Sequence, residues 1–157
     1  MIKKIKKLLK VSSIDLLVYS MKESTKFNVD VQNYSIQFQK IDENKSRYFI
    51  EIDNKVIHES FTYRKLFIQK LIRTKGPTIG DCRTIDAYKG KSIYPYVINY
   101  IANQELENGV EEVFINVSPT NISSIKGIEK AGFNLVTSIK AKRFLMFYFN
   151  SEIKKNK

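Results

Sequence analysis

Residues 34–41 (YSIQFQKI) alternate apolar and polar side chains with a period of two, which predicts a strand with one face buried. Residues 48–53 and 56–63 are two further β-type runs, and Asn54-Lys55 between them reads as a tight hairpin turn. The short apolar run at 14–20 also suits a strand, whereas residues 22–33 and 42–46 read as loop. Residues 64–73 satisfy two templates. Ile68, Leu71 and Ile72 suit a helix, and Leu66, Ile68 and Ile72 suit a strand. From Gly76-Pro77 onward, strand alternates with helix. Residues 78–86 read as a strand. Residues 92–108 read as a helix with Tyr94, Val97, Ile98 and Ile101 at helical spacing and Gly109 at its C-terminal end. Residues 112–117 make the next strand, and Asn121 caps a helix that runs to Ala131 and stops at Gly132. Residues 133–140 and 144–150 close the chain as strands. A hairpin region that feeds into βαβ units predicts a mixed α/β fold, one sheet with helices on its faces.

A length of 157 residues suggests one domain, with appendages at 1–10 and 151–157. With 43% hydrophobic and 27% charged residues the chain is ordinary globular material, which excludes wholesale disorder. No apolar run approaches the roughly 18 residues of a membrane-crossing helix. The basic start, MIKKIKKLLK, is not followed by the apolar core of a secretory signal. Cys82 is the single cysteine, so an internal disulfide framework is excluded, and one His with one Cys cannot build a structural zinc site; no metal is expected. These features place the protein in a reducing cytoplasm.

The net charge of +11 is unevenly spread. Five lysines in residues 1–10 and a net of two charges in residues 151–157 account for seven of it, leaving four on the body. That is not the footprint of a dedicated nucleic-acid binder, and none is expected as a partner. Residues 151–157 read as a solvated tail. Ile2, Ile5, Leu8 and Leu9 among lysines make residues 1–10 a short basic amphipathic segment, whose contact with an anionic membrane surface would be weak.

The junction between the strand at 78–86 and the helix at 92–108 carries candidate chemistry. A strand that passes through Lys89-Gly90-Lys91-Ser92 into a helix N-terminus can cradle an anion, because free N–H groups and the positive dipole end point outward beside two lysines. Pro95 sits in the first helical turn, where its missing N–H costs nothing.

Thr84-Ile-Asp-Ala-Tyr-Lys-Gly-Lys-Ser-Ile-Tyr94 resembles the acyl-CoA signature V-x-P-x-Y-R-G-x-G-I-G of the GNAT superfamily of N-acyltransferases. Asn121-Ile-Ser-Ser-Ile-Lys-Gly-Ile-Glu-Lys-Ala-Gly-Phe133 is similar to the family's N-x-x-S/A…E-K-x-G-F segment, at the expected distance downstream. The resemblance covers residues 76–135. It implies a central, mostly antiparallel sheet with helices on both faces and a splayed parallel strand pair that receives CoA. It further implies acetyl-CoA as co-substrate, held by Thr84, Lys89, Gly90, Lys91, Ser92, Ile93 and Tyr94, with Asn121 and Ser124 along the pantetheine arm. Ser92 and Tyr94 replace two of the family's glycines, and Lys89 keeps a cation where the family has Gln or Arg. Ile128 stands where a tyrosine often protonates the departing thiolate, and Asn116 where some members carry a glutamate.

The chemistry requires a neutral amine to attack a thioester, backbone donors for the oxyanion, and a base or ordered water for the proton. Asp81 on the cofactor strand and His58 on the preceding hairpin strand are the candidate catalytic bases. The expected function is acyl transfer to the primary amine of a small molecule, with an amino sugar or nucleotide-linked amino sugar as the suggested acceptor and a homodimer compatible with it. A non-catalytic CoA-binding or regulatory domain, and a basic nucleic-acid or membrane-surface binder, are the alternatives.

Overall fold

The computed structural model describes residues 11–27, 34–144 and 147–156. Its strands are β1 (Ser12–Met21), β2 (Gln37–Lys40), β3 (Lys45–Ile52), β4 (Lys55–Tyr63), β5 (Thr78–Thr84), β6 (Val113–Val117), β7 (Asn134–Phe144) and β8 (Phe147–Lys155). The α-helices among the described residues are α1 (Phe67–Ile72), α2 (Ile93–Glu107) and α3 (Ile122–Lys130), and a short 3-10 helix spans Asp86–Tyr88. All eight strands join one sheet in the order β2-β3-β4-β5-β6-β1-β7-β8. Neighbours are antiparallel except β5 and β6, which are parallel because α2 crosses over between them.

The two faces follow from side-chain alternation. In β6, Val113, Ile115 and Val117 point into the main core beneath α2 and α3, where they meet Val97, Ile98, Ile101 and Ile128. Phe114 points the other way, into a smaller cluster with Val18, Ile139, Ala141 and Ile68 of α1. Helices therefore lie on both faces, as the resemblance implies. No helix among the described residues is long and apolar enough to cross a membrane.

Local details differ from the sequence-based expectations. Residues 64–73 settle as helix at Phe67–Ile72, because Ile68 gains burial against Phe114. The Gln69 amide nitrogen also donates to Thr78 Oγ1 at 2.9 Å and to the Gly76 carbonyl. The half-buried strand expected over 34–41 shrinks to β2, an exposed edge strand, with Tyr34 and Ile36 packing on the core from outside it. The hairpin turns at Asp53-Asn54, one residue earlier than expected. Both have left-handed φ, 50° and 59°, as a two-residue turn of the type that matches strand twist requires. The solvated tail is corrected as well. Thr137–Ile139 pair with Ile153–Lys155, and Thr137 Oγ1 donates to the Lys154 carbonyl at 2.8 Å, so residues 151–155 are sheet with mostly exposed side chains. Residues 1–10, and residues 28–33 of the loop expected over 22–33, lie outside the described residues.

Two features open the sheet. At one end Gly76, with φ 134°, lies so close to β6 that an added Cβ would sit 2.1 Å from the Glu112 carbonyl oxygen. Only glycine permits that approach. Beside it the Phe114 N–H donates to the Pro77 carbonyl at 2.9 Å and pins β5 to β6. Parallel pairing lasts only for Thr78↔Phe114 and Ile79↔Ile115. Asp81 and Cys82 then oppose a single β4 residue, Ser60, in a β-bulge with Asp81 at φ 49°. A bulge bends its strand. β5 thus leaves β6, and the two form a V that opens from the Gly76 pivot.

Candidate functional site

The V is the floor of a cleft of about 640 Å³. Gly80, Asp81, Cys82 and Thr84 line it from β5, and Ile115, Asn116 and Val117 from β6. The start of α2 contributes Ser92–Pro95, and the start of α3 contributes Asn121, Ser123, Ser124 and Gly127. Both helices direct their N-termini at this space, so two dipole ends and their unbonded N–H groups face it. The loop into α2 adds a third donor group. Gly90 and Ser92 have left-handed φ of 77° and 60° on either side of Lys91, a sequence of backbone conformations that turns successive N–H groups into a concave anion site. A Cβ at Gly90 would meet nothing within 4 Å, so its glycine serves conformation, not space.

The cations around the loop are unequally available. Lys89 Nζ lies 2.6 Å from Asp86 Oδ1, and that contact, with its charge, holds the Asp86 carboxyl below the usual range. Lys91 stands outside the cleft lining, with its ammonium 4.7 Å from the Tyr88 ring centre. Lys130, which the sequence reading passed over, reaches from the last turn of α3 to donate to Ser92 Oγ at 2.8 Å. Its presence in the quoted E-K-x-G-F run was the available signal.

The substitutions for the family's glycines find a structural explanation. Ser92 is the N-cap residue of α2 and leaves its hydroxyl to Lys130. The Tyr94 ring lies on Gly127 of α3 at the wall of the cleft, and burial raises its hydroxyl pKa well above the ordinary value. A Cβ at Gly127 would approach Tyr94 Cδ1 and Cε1 to 2.7 and 2.8 Å. Gly127→Ala should therefore displace the ring, lower stability by about 1–2 kcal/mol and weaken ligand binding in the cleft. Thermal unfolding of Gly127→Ala, Tyr94→Leu and the pair checks this, because coupled residues give a double-mutant loss smaller than the sum.

Asn121 lines the cleft, but its Oδ1 is occupied. It accepts from the Ser124 N–H at 3.2 Å as the helix cap and from Ser123 Oγ at 3.2 Å. Its amide nitrogen is left for the cleft. Ile93 is buried as the first residue of α2, and Ile128 is wholly buried in the core. Asn116 Oδ1 is buried without a partner among the described residues, on the β6 face shared with Phe114.

The two candidate bases separate. Asp81 is exposed on the lip of the cleft, turned outward by its left-handed backbone, and accepts a hydrogen bond from the Tyr63 hydroxyl. His58 is not in the cleft. It is 1% exposed, with Nδ1 2.8 Å from Thr84 Oγ1 and Nε2 2.9 Å from Ser60 Oγ. Burial lowers its pKa to about 4, so at neutral pH it is an uncharged imidazole with both nitrogens engaged. It supports Thr84 and Ser60 from behind, and reaches no substrate. Cys82 lines the cleft, but burial pushes its thiol up to about 12, which leaves it without nucleophilic thiolate. No group of three or more potential metal ligands occurs among the described residues.

No family model matches the sequence, and no curated protein is significantly similar to it. Among solved structures, the fold recurs in a candidate acetyltransferase of the GNAT family from Novosphingobium aromaticivorans, with a TM-score of 0.62 and 12% identity over 94% of this chain and 68% of that one. The eight-stranded, mostly antiparallel sheet with one splayed parallel pair and helices on both faces is the GNAT acetyltransferase fold.

Proposed function

We propose that the protein is an acyl-CoA-dependent N-acyltransferase, with acetyl-CoA as co-substrate, that acylates the primary amine of a small molecule. The observation that carries this reading is the convergence, on one cleft, of a splayed strand pair and an anion-binding loop. Beyond Ile79 the β6-facing backbone of β5 has no ladder partner among the described residues, so a chain of amides such as pantetheine can hydrogen-bond there as a strand would. Where that arm ends toward α2, the loop at Lys89–Ser92 and Lys130 offer donors and positive charge for a diphosphate. Gly90 and Ser92 hold left-handed backbone positions in the loop and the Tyr94 ring packs on Gly127, so the residues present fit the group.

The reaction balances without a further reagent. The acceptor ammonium gives up a proton, the amine nitrogen bonds to the thioester carbon, and the C–S bond breaks. The nitrogen, now bonded to carbon, sheds its second proton, which the CoA thiolate takes directly or through water, yielding amide and free thiol, and the first proton passes to solvent. In this reading Asp81, on the cleft's lip, receives the ammonium proton, directly or through one water. Backbone N–H groups along the bulge are the donors for the oxyanion. A thiolate is a tolerable leaving group, since an ordinary thiol has a pKa of about 8.5. That makes the replacement of a tyrosine acid by buried Ile128 compatible with turnover. A reducing compartment suits this chemistry and the single free cysteine, and an amino sugar is the acceptor class toward which the sequence resemblance points.

The test is thermal stabilisation by acetyl-CoA, followed by thiol release against amino sugars, polyamines, amino acids and peptides. Asp81→Asn should slow release at neutral pH by about tenfold, a modest loss because water can take over part of the proton transfer, and should leave acetyl-CoA affinity intact. Stabilisation without release for any amine would mark a non-catalytic CoA-binding domain. Absence of stabilisation would overturn the assignment and return attention to the basic surface.

A further inference from the structure

On the sheet face away from α2 and α3, the strands β3, β4 and β5 bring side chains into rows, Lys45–Tyr63–Thr78 and Arg47–Phe61–Gly80. The alternate residues Tyr48 and Ile50 point into the core, which fixes these rows on the outer side. Arg47 is neutralised there, with Nε and Nη2 at 3.1 and 2.8 Å from Glu59 Oε2. Lys45 is not. Its ammonium lies 4.1 Å from the centre of the Phe61 ring and 5.1 Å from that of Tyr63, and it forms no ion pair among the described residues. Its pKa is held above the ordinary lysine value, first by Tyr63 and then by the charges of Asp81 and Asp42, so it stays charged wherever an amine acceptor reacts. The Tyr63 hydroxyl also donates to Asp81, which turns out of the bulge onto the lip of the cleft. The Tyr63 hydroxyl thus sits between a cation and a carboxylate, and Lys45, Tyr63 and Asp81 form a short polar cluster that reaches the lip of the cleft.

We propose that this cluster is the acceptor subsite and that the acceptor is a small zwitterion, a primary amine with a carboxylate or phosphate a few bonds away. The ammonium lies at Asp81, which also receives its proton, and the anion lies at Lys45. The inference rests on the N-acyltransferase reading and narrows its acceptor. Two aromatic rings position the lysine ammonium, and among the described residues no carboxylate lies within ion-pair distance of it, so its direct contacts stay open to an incoming anion. A neutral amine would engage only half of the cluster. It would leave Lys45 unanswered, and specificity would follow from that difference. The acyl-transfer step is the balanced one given above, with the zwitterion's amine as nucleophile.

The experiment compares matched acceptors in acetyl-CoA-dependent thiol release and in calorimetric binding to the CoA-saturated protein. A panel of free amino acids is set against their carboxamides, phosphoethanolamine against ethanolamine, and glucosamine stands as an uncharged amino sugar. Wild-type protein should favour the best anionic acceptor over its uncharged partner by about tenfold in kcat/KM and in affinity, as expected for one charge-assisted contact at a half-exposed site. The carboxamide's amine loses its proton more readily, so this preference runs against intrinsic reactivity. Lys45→Gln should collapse the ratio toward one, while Lys45→Arg should restore most of it. A better amino-acid acceptor identifies a carboxylate, and a better phosphoethanolamine a phosphate. Thiol release with glucosamine or other neutral amines at equal efficiency, or a ratio that survives Lys45→Gln, overturns the subsite while acyl transfer stands. Preferential binding of zwitterions without thiol release supports the subsite and removes the acyltransferase reading. Absence of both binding and release removes the two together.

Discussion

Lys91→Glu combined with Lys130→Glu should weaken acetyl-CoA binding by about a hundredfold. The loop at 89–92 offers backbone donors that no side-chain substitution removes, so the remaining discrimination comes from charge. Lys130 touches the N-cap residue of α2 at 2.8 Å, and Lys91 is the loop residue between the two left-handed positions. Each reversal exchanges an attraction to a diphosphate for a repulsion. Near a protein surface such a contact is worth on the order of 1 kcal/mol or more even after solvent screening, and a hundredfold change corresponds to about 2.7 kcal/mol. Lys89→Glu should do less than its position in the signature suggests, because Asp86 already neutralises that side chain at 2.6 Å. Calorimetric titration at low and at high salt is the measurement. The loss should shrink at high salt, and an affinity insensitive to both reversals would remove the loop as the diphosphate site.

His58 should make the protein lose stability in mild acid. Its pKa falls to about 4 in the fold through burial, against about 6.5 in the unfolded chain. A depressed pKa means the folded state resists taking the proton. The associated stability is complete above pH 6.5, is lost as pH falls from there to about 4, and changes no further below. Taken over that window the loss is on the order of 3 kcal/mol. Its physical source is the placement of the ring between Thr84 and Ser60, where a protonated imidazole would be a charge in the core. Urea unfolding at pH values between neutral and 4 should show this fall in the wild type and not in His58→Gln, which keeps a neutral polar side chain there. Asp86 adds an acid-sensitive contribution of its own at lower pH, common to both proteins, so the difference between them isolates His58. Parallel curves would mean that the imidazole is reached by water and is not the buried neutral group its contacts indicate.

Much of the candidate site was legible along the chain because it is local. The strand into Lys89-Gly90-Lys91-Ser92, the first turn of α2 and the Asn121 cap of α3 each lie within a dozen residues, and short-range capping, dipole and turn rules apply there without knowledge of the rest. The hairpin of β3 and β4 and the long helix α2 showed their periods for the same reason: each presents one face to a single core. The groups brought in from distant segments did not show. Lys130 joins the loop across α3, Tyr94 finds space only because Gly127 faces it, and Lys45 meets Asp81 through a tyrosine on the strand between them.

Sequence by itself determined most strand and helix segments, that strand and helix alternate after Gly76, and that a Lys-Gly-Lys-Ser turn leads into α2. Hydrophobic period and chain-breaking residues act over a few positions and need no partner. Tertiary structure decided everything that depends on pairing between distant segments. β1 inserts between β6 and β7, which separates them in the sheet, and no local feature of Ser12–Met21 names those partners. Residues 151–155 become sheet although their side chains are mostly exposed, because an edge strand is held by backbone bonds and need not alternate. α1 is too short to be stable alone and takes its form from Ile68 against Phe114. His58 and Asp81, alike as candidates on paper, part company for one reason. The bulge opposite Ser60 turns Asp81 out onto the lip of the cleft, and the irregular step beside Ile57 leaves His58 in the core. Bulges shift side chains between faces, and they arise only when one strand is laid against another.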